Sequence, residues 1–168
     1  MGIKRNEGYT EMKRIEYRDI IDKSKYIKKA YSPWLSEPDE VQFEDPETGV
    51  PCIIVRNDLG VLCGYVGVIS SHPYFEKDYS EIDSDIHVHG GLTYSGKLKP
   101  SSKRKSIFLQ ENGEIENIWL FGFDCAHLGD LCPAYQSIFG DSCDIYRTIE
   151  YVESEIKNLA RQLYSGDI

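Results

Sequence analysis

Near the C-terminus, Ile145, Ile149, Val152, Ile156, Leu159 and Leu163 follow one another at spacings of 4, 3, 4, 3 and 4. That rhythm keeps one apolar stripe on one side of an α-helix. A helix with a single apolar stripe needs a partner surface, because leaving it in water forfeits about 1.5–3 kcal/mol for each large aliphatic side chain. Asp144 is the expected N-cap and Ser165-Gly166 the expected stop, so the helix should cover 144–165.

The partner surface is written upstream. PCIIVR (51–56) and VLCGYVGV (61–68) are β-rich runs on either side of NDLG (57–60), the pattern of a hairpin. Gly64 and Gly67 inside the second run predict a bulge or a close backbone approach. DIHVHGGLTY (85–94) reads as a further strand, and IFLQ (107–110) with IENIWLFGF (115–123) as a second hairpin around Asn112-Gly113. Residues 32–49 carry three prolines and six carboxylates and read as loop, with Trp34 plugging it onto the body. Residues 1–31 are charged, with loose helical spacing around Ile15, Ile20, Ile21 and Tyr26, and read as an N-terminal arm or helix. The expected fold class is α+β: one domain over 1–168, a mainly antiparallel sheet with hairpins over 32–143 carrying the polar site, packed by the long amphipathic C-terminal helix.

Charge narrows the partners. The 168 residues hold 19 basic and 28 acidic side chains, net −9, which disfavours whole-surface attraction to nucleic acid or anionic lipid. No apolar run approaches the roughly 20 residues that cross a bilayer, and the first residues lack the apolar core of a signal peptide. Five cysteines, Cys52, Cys63, Cys125, Cys132 and Cys143, are an odd number, so reduced thiols in a cytoplasmic protein are the expectation. The charge is also segregated: 76–85 carries five acids, whereas 95–106 carries five bases and no acid. The basic stretch reads either as a solvated loop or as a flap that attracts a small anionic ligand such as a phosphate. No P-loop or G-x-G-x-x-G is present.

Two short stretches concentrate chemistry-bearing side chains. On a strand, DIHVHGG sends His87 and His89 to one face about 7 Å apart, a separation that suits two ligands of one metal, and Gly90-Gly91 then admits a backbone or ligand. In WLFGFDCAHLGD, Trp119, Phe121 and Phe123 alternate onto an apolar face, while Leu120, Gly122 and Asp124 take the other. Asp124, His127 and Asp130 recur every third residue, so one turn or a tight loop brings them to one side. Imidazole with carboxylate suits Zn²⁺, Mn²⁺ or Fe²⁺ better than Ca²⁺. The expected metal set is His87, His89, Asp124 and His127; His127 and Asp130 are the expected catalytic pair; His89, Gly90, Gly91, Asp124 and Cys125 are the expected ligand contacts. A buried network, with His89 and His127 satisfied by carboxylate or carbonyl, is the structural alternative. Cys125 as a nucleophile is disfavoured by the neighbouring carboxylate. His72, before Pro73, reads as a turn residue.

Taken together, WLSEPDEVQFEDPETGVPCIIVR, CGYVGV with HPYF, VHGGLTYSG, GFDCAHLGD and EYVESEIKNLARQL resemble an uncharacterised family of bacteriophage, prophage and bacterial proteins. The resemblance runs in order over roughly residues 32 to 164. It implies an intracellular, phage-encoded protein and brings no catalytic role with it. His89, Gly90, Gly91, Asp124, Cys125, His127 and Asp130 fall within its distinctive words; His87 and the basic stretch fall outside them.

The first functional expectation is a metal-dependent hydrolase with Zn²⁺ or Mn²⁺, acting on a phosphoester or nucleotide-like substrate. There Asp130 orients a ligand histidine or serves as general base. A second is a non-catalytic phage-type binding protein that inhibits a host factor or sequesters a nucleotide signal. A third is a structural or assembly protein in which the same residues form a packing network.

Overall fold

The computed structural model describes residues 13–99, 101, 103–135 and 144–165. Its centre is the expected hairpin of β3 (Pro51–Arg56) and β4 (Leu62–Ile69), in register from Cys52 opposite Val66 to Arg56 opposite Leu62. The Asn57 side chain starts the turn by accepting from Leu59 N at 3.0 Å, and Gly60 closes it at φ +82. Outside this hairpin lie β1 (Arg14–Tyr17), β2 (Glu40–Glu44), β5 (Tyr94–Lys97) and β6 (Ile118–Asp124). Among the described residues these make one antiparallel sheet in the order β1-β2-β3-β4-β6-β5.

Helix α1 (Ile149–Tyr164) lies across β4 and β3. Ile149, Val152, Ile156, Leu159 and Leu163 are all buried, and they meet Val41, Phe43, Ile54, Val66, Val68, Phe121 and Phe123 from the sheet. Strand alternation sends Ile53, Ile118 and Leu120 to the opposite face, where Leu98 and Phe108 from the 98–116 segment cover part of the sheet. The architecture is therefore the expected α+β one. Gly64 is a close approach and not a bulge: the register through it is regular, and a Cβ there would press on the Phe123 ring and on Ile156.

Five expectations are corrected. Residues 32–49 are not all loop, because Val41 and Phe43 alternate into the core and make β2; the acidic flanks hide that two-residue period. Trp34 does plug the preceding 3-10 turn, at 1% exposure. Residues 13–31 form no helix. Arg14–Tyr17 pairs along β2, and Asp39 then binds the Ile20 and Ile21 amides, which fixes the following stretch as irregular chain. Residues 1–12 of the expected arm lie outside the described residues.

The expected strand at 85–94 is mostly loop, entering the sheet only at Tyr94, because the Gly90 and Gly91 backbones take positive φ and the Leu92 amide turns to Asp83. The hairpin around Asn112-Gly113 shrinks to a Leu109–Ile115 bridge, since β6 takes β4 and β5 as its partners. Finally, α1 starts at Ile149 and not at 144: Thr148 is the N-cap, its hydroxyl accepting from Tyr151 N at 3.3 Å, and Glu37 accepts the Ile149 amide at 3.1 Å. Ile145 is committed to a bridge with Asp130 and stays 57% exposed. Gly166, half of the expected stop, and Cys143 lie outside the described residues. Among those residues no helix is long and apolar enough to cross a membrane.

Candidate functional site

β6 ends at Asp124, and the chain then turns tightly, with Asp130 N donating to His127 O at 2.9 Å. This turn is what the three-residue recurrence anticipated, and it draws Asp124, His127 and Asp130 together. The loop through His89, Gly90 and Gly91 lies against it: the His89 and His127 ring centroids are 5.8 Å apart, the planes inclined at 65°. Helix α1 supplies the third wall through Tyr151 and Glu155, and Arg147 reaches in just ahead of it.

Asp130 is the hub. Its side chain is 1% exposed, yet both oxygens are engaged. Oδ1 accepts from Arg147 Nε at 2.8 Å; Oδ2 accepts from His89 Nε2 at 2.7 Å and from the His127 amide at 3.0 Å. Burial by itself would raise this carboxyl, but the Arg147 guanidinium, His89 and the His127 amide outweigh it and hold the group below the ordinary carboxylate range. The same bond pushes Arg147 up. Because a carboxylate only accepts, His89 Nε2 must carry hydrogen, and in the neutral ring Nδ1 then accepts from the Tyr151 hydroxyl at 2.8 Å. Both nitrogens of His89 are thereby committed, and its amide is held by Glu155 at 2.8 Å.

His127 differs. No hydrogen bond among the described residues engages its ring. Nε2 is buried and unpartnered, 3.3 Å from Asp124 Oδ1 but out of line with it. The ring rests on the Gly90 backbone, where a Cβ would overlap it. Asp124 is a third exposed and itself well placed, accepting from Thr93 Oγ1 and the Ala126 amide at 3.0 Å each. One carboxylate–imidazole pair near the surface therefore sits on a buried, fully paired one.

The remaining expected residues lie elsewhere. His87 is exposed and engages α1 through its backbone, its amide donating to Gln162 and its carbonyl accepting from Asn158 and Gln162; none of the contacts that join the cluster involves its side chain. The reason is the lost strand, which alone would have aligned it with His89. Cys125 is 2% exposed in the helix-side core, away from any ligand surface, and burial pushes its thiol far up, so it stays protonated. His72 fastens a loop to the end of α1, with Nε2 2.7 Å from Leu163 O. Among the described residues no group of three or more His, Cys, Asp or Glu side chains is placed to hold a metal ion.

The sequence reading missed Arg147 and Tyr151. Tyr151 falls three residues past the Thr148 cap, on the flank of the apolar stripe, and an Arg-Thr-x-x-Tyr spacing at a helix start signals nothing by itself. No protein-family model, curated protein or solved structure matches this chain.

Proposed function

We propose that the chain is a hydrolase of phosphoester or nucleotide-like substrates whose chemistry centres on the Asp124–His127 pair. The observation that carries this reading is the orphaned His127 Nε2, buried beside Asp124 Oδ1 in a cluster where both ring nitrogens of His89 and the carboxylates of Asp124 and Asp130 are engaged. A buried polar atom without a partner is costly, and such atoms collect where a ligand or a reacting group completes the site. The neutral His127 imidazole takes the proton of an attacking water, and the Asp124 carboxylate 3.3 Å away stabilises the imidazolium that forms. The water oxygen bonds to phosphorus as the ester P–O bond breaks, and the imidazolium returns the proton to the leaving oxygen. Asp130 positions the turn through the His127 amide. Of the expected metal ligands, His127 and Asp124 are the two donors left adjacent. A catalytic zinc takes three protein ligands, so these two fall short of a complete set and no step is routed through a metal.

A second reading has its own support: the saturation of Asp130 and His89 is what a packing network requires. The test is elemental mass spectrometry of untagged protein purified without chelator, beside turnover of a panel of phosphomonoesters and diesters by wild type, His127→Ala and Asp130→Ala. Turnover abolished in a folded His127→Ala variant supports the hydrolase. No turnover by the wild type, with Asp130→Ala unfolded and His127→Ala unaffected, supports the network.

A further inference from the structure

The sheet face away from α1 is not fully covered. Between the 98–116 segment and the strands lies a cavity of about 350 Å³ whose floor is Ile53, Val55, Tyr65 and Leu120. That is the small end of the range for small-molecule sites. Its lining holds three kinds of group, aromatic, polar and cationic, with Arg104 of the cationic set joined to Glu40 of the polar one.

The first is aromatic. Tyr65 from β4 and Tyr94 from β5 stand across the strands as an edge-to-face pair, centroids 5.4 Å apart, above an aliphatic floor. Tyr94 lines the cavity and is 41% exposed, so it is accessible to a ligand there. The second is polar. Glu40 and Gln42 of β2 point into this face and are buried, at 7% and 5% exposure. They are fixed as a unit: Gln42 Nε2 donates to Glu40 at 2.7 Å, Gln42 Oε1 accepts the Ile107 amide at 3.1 Å, and Glu40 Oε2 accepts Arg104 Nε at 2.6 Å. That leaves hydrogen-bonding capacity on the second amide hydrogen of Gln42 and on the remaining lone pairs of Glu40. The third is cationic. Lys97 and Lys99 line the cavity beside Arg104, and among the described residues neither lysine forms an ion pair. In a chain of net charge −9, three of the five bases in the acid-free 95–106 stretch, Lys97, Lys99 and Arg104, line this cavity. A solvated loop would not need to be there; an anion site would.

We propose that this cavity binds a mononucleotide. The base lies on the aliphatic floor against Tyr65 and Tyr94 with its polar edge toward Gln42 and Glu40, and the phosphate lies between Lys97, Lys99 and the free end of the Arg104 guanidinium. The site is separate from the Asp124–His127 pair and does not depend on the hydrolase reading.

The test is calorimetric titration of the full chain with AMP, GMP, CMP and UMP at low salt. Adenosine and ribose 5-phosphate serve as ring-only and anion-only probes. The expected result is a micromolar Kd for at least one mononucleotide, with both half-ligands at least about tenfold weaker. Lys97→Ala/Lys99→Ala should weaken binding about tenfold or more and flatten its salt dependence, and Tyr94→Ala should weaken it with the salt dependence intact. Variants that retain the wild-type melting temperature count. No binding of any mononucleotide at millimolar concentration overturns the proposal, as does binding indifferent to both the lysine and the tyrosine variants. Ribose 5-phosphate binding as tightly as the nucleotides overturns the assignment of the aromatic wall.

Discussion

Gly90 and Gly91 both take left-handed backbone, at φ +68 and +81, but their surroundings differ, and that difference makes a quantitative test of the cluster. A Cβ at Gly91 would meet only Asp83 Oδ1, at an ordinary 3.4 Å. Gly91→Ala should therefore cost only the backbone term, roughly 1–2 kcal/mol. A Cβ at Gly90 would fall inside the His127 ring, whose Nε2, Cδ2 and Cε1 are all nearest neighbours. Either the ring swings off Asp124 or the 87–93 loop lifts, an overpacking cost of about 1–3 kcal/mol on top of the backbone term. Gly90→Ala should thus cost about 2–5 kcal/mol, and most of the excess should vanish in a His127→Ala background. Urea unfolding followed by tryptophan fluorescence gives the four stabilities of the cycle. The expected coupling between positions 90 and 127 is about 1–3 kcal/mol in the direction of relief. Equal costs for the two glycines, with no coupling, would refute the stacking of His127 on Gly90 and the site geometry built on it.

Other consequences can be measured directly. Asp130→Ala leaves Arg147, His89 and the His127 amide without their acceptor around a side chain 1% exposed, and should cost about 3–5 kcal/mol in the same unfolding assay. Because the folded protein holds the Asp130 carboxyl below its ordinary value, its contribution is present above about pH 4 and lost as pH falls through the folded value. Wild type should therefore lose more stability than Asp130→Asn between about pH 5 and pH 2, as acid titrations of the melting temperature would reveal. Arg56 is 0% exposed and joins Asp39, Glu37 and Tyr146; Arg56→Ala removes these bonds while Lys23 still pairs with Asp39 at 2.8 Å, and should cost about 1.5–3 kcal/mol by chemical denaturation. Burial pushes Cys52 and Cys125 far up and Cys63 to about 11, so at pH 8 iodoacetamide with mass mapping should leave Cys52 and Cys125 unlabelled in the native protein and label them in urea.

What could be read in the sequence follows from how local each cause is. The Ile149–Leu163 stripe and the β3–β4 hairpin are local patterns, carried by periodicity and by the Asn57–Gly60 turn, and both are as expected. The Asp124-x-x-His127-x-x-Asp130 recurrence was legible for the same reason, since a single tight turn satisfies it. β2 was hidden because Glu40 and Gln42, on its face away from the helix, look like surface positions, yet they are buried and bonded to Arg104 and Ile107, more than 60 positions away. The pairing of His87 with His89 failed through the opposite error. Their spacing fits a strand, but two glycines at positive φ and an Asp83 side chain 9 positions back redirect the backbone. Likewise Ile145 continues the helical rhythm, yet its amide and carbonyl are taken by Gly129 and Leu131, so tertiary pairing ends the helix before propensity does.

These long-range ties explain why the polar cluster sits where it does. The three pieces it joins, the 87–93 loop, the turn after β6 and the N-terminal turn of α1, have little regular structure of their own at that point. The loop bonds to the sheet backbone only through Thr93, the turn follows the last paired residue of its strand, and α1 borrows Glu37, just past a distant 3-10 turn, to hold its first amide. Apolar contact alone would position such pieces only loosely, since dispersion is non-directional. Asp130 supplies direction: one carboxylate fixes Arg147 ahead of the helix, His89 from the loop and the His127 amide of its own turn, each within 3.0 Å. His127 is then held by its backbone and not by its ring. Its imidazole is left in a set place with its bonding capacity unspent, the condition a reacting group needs and a packing residue does not.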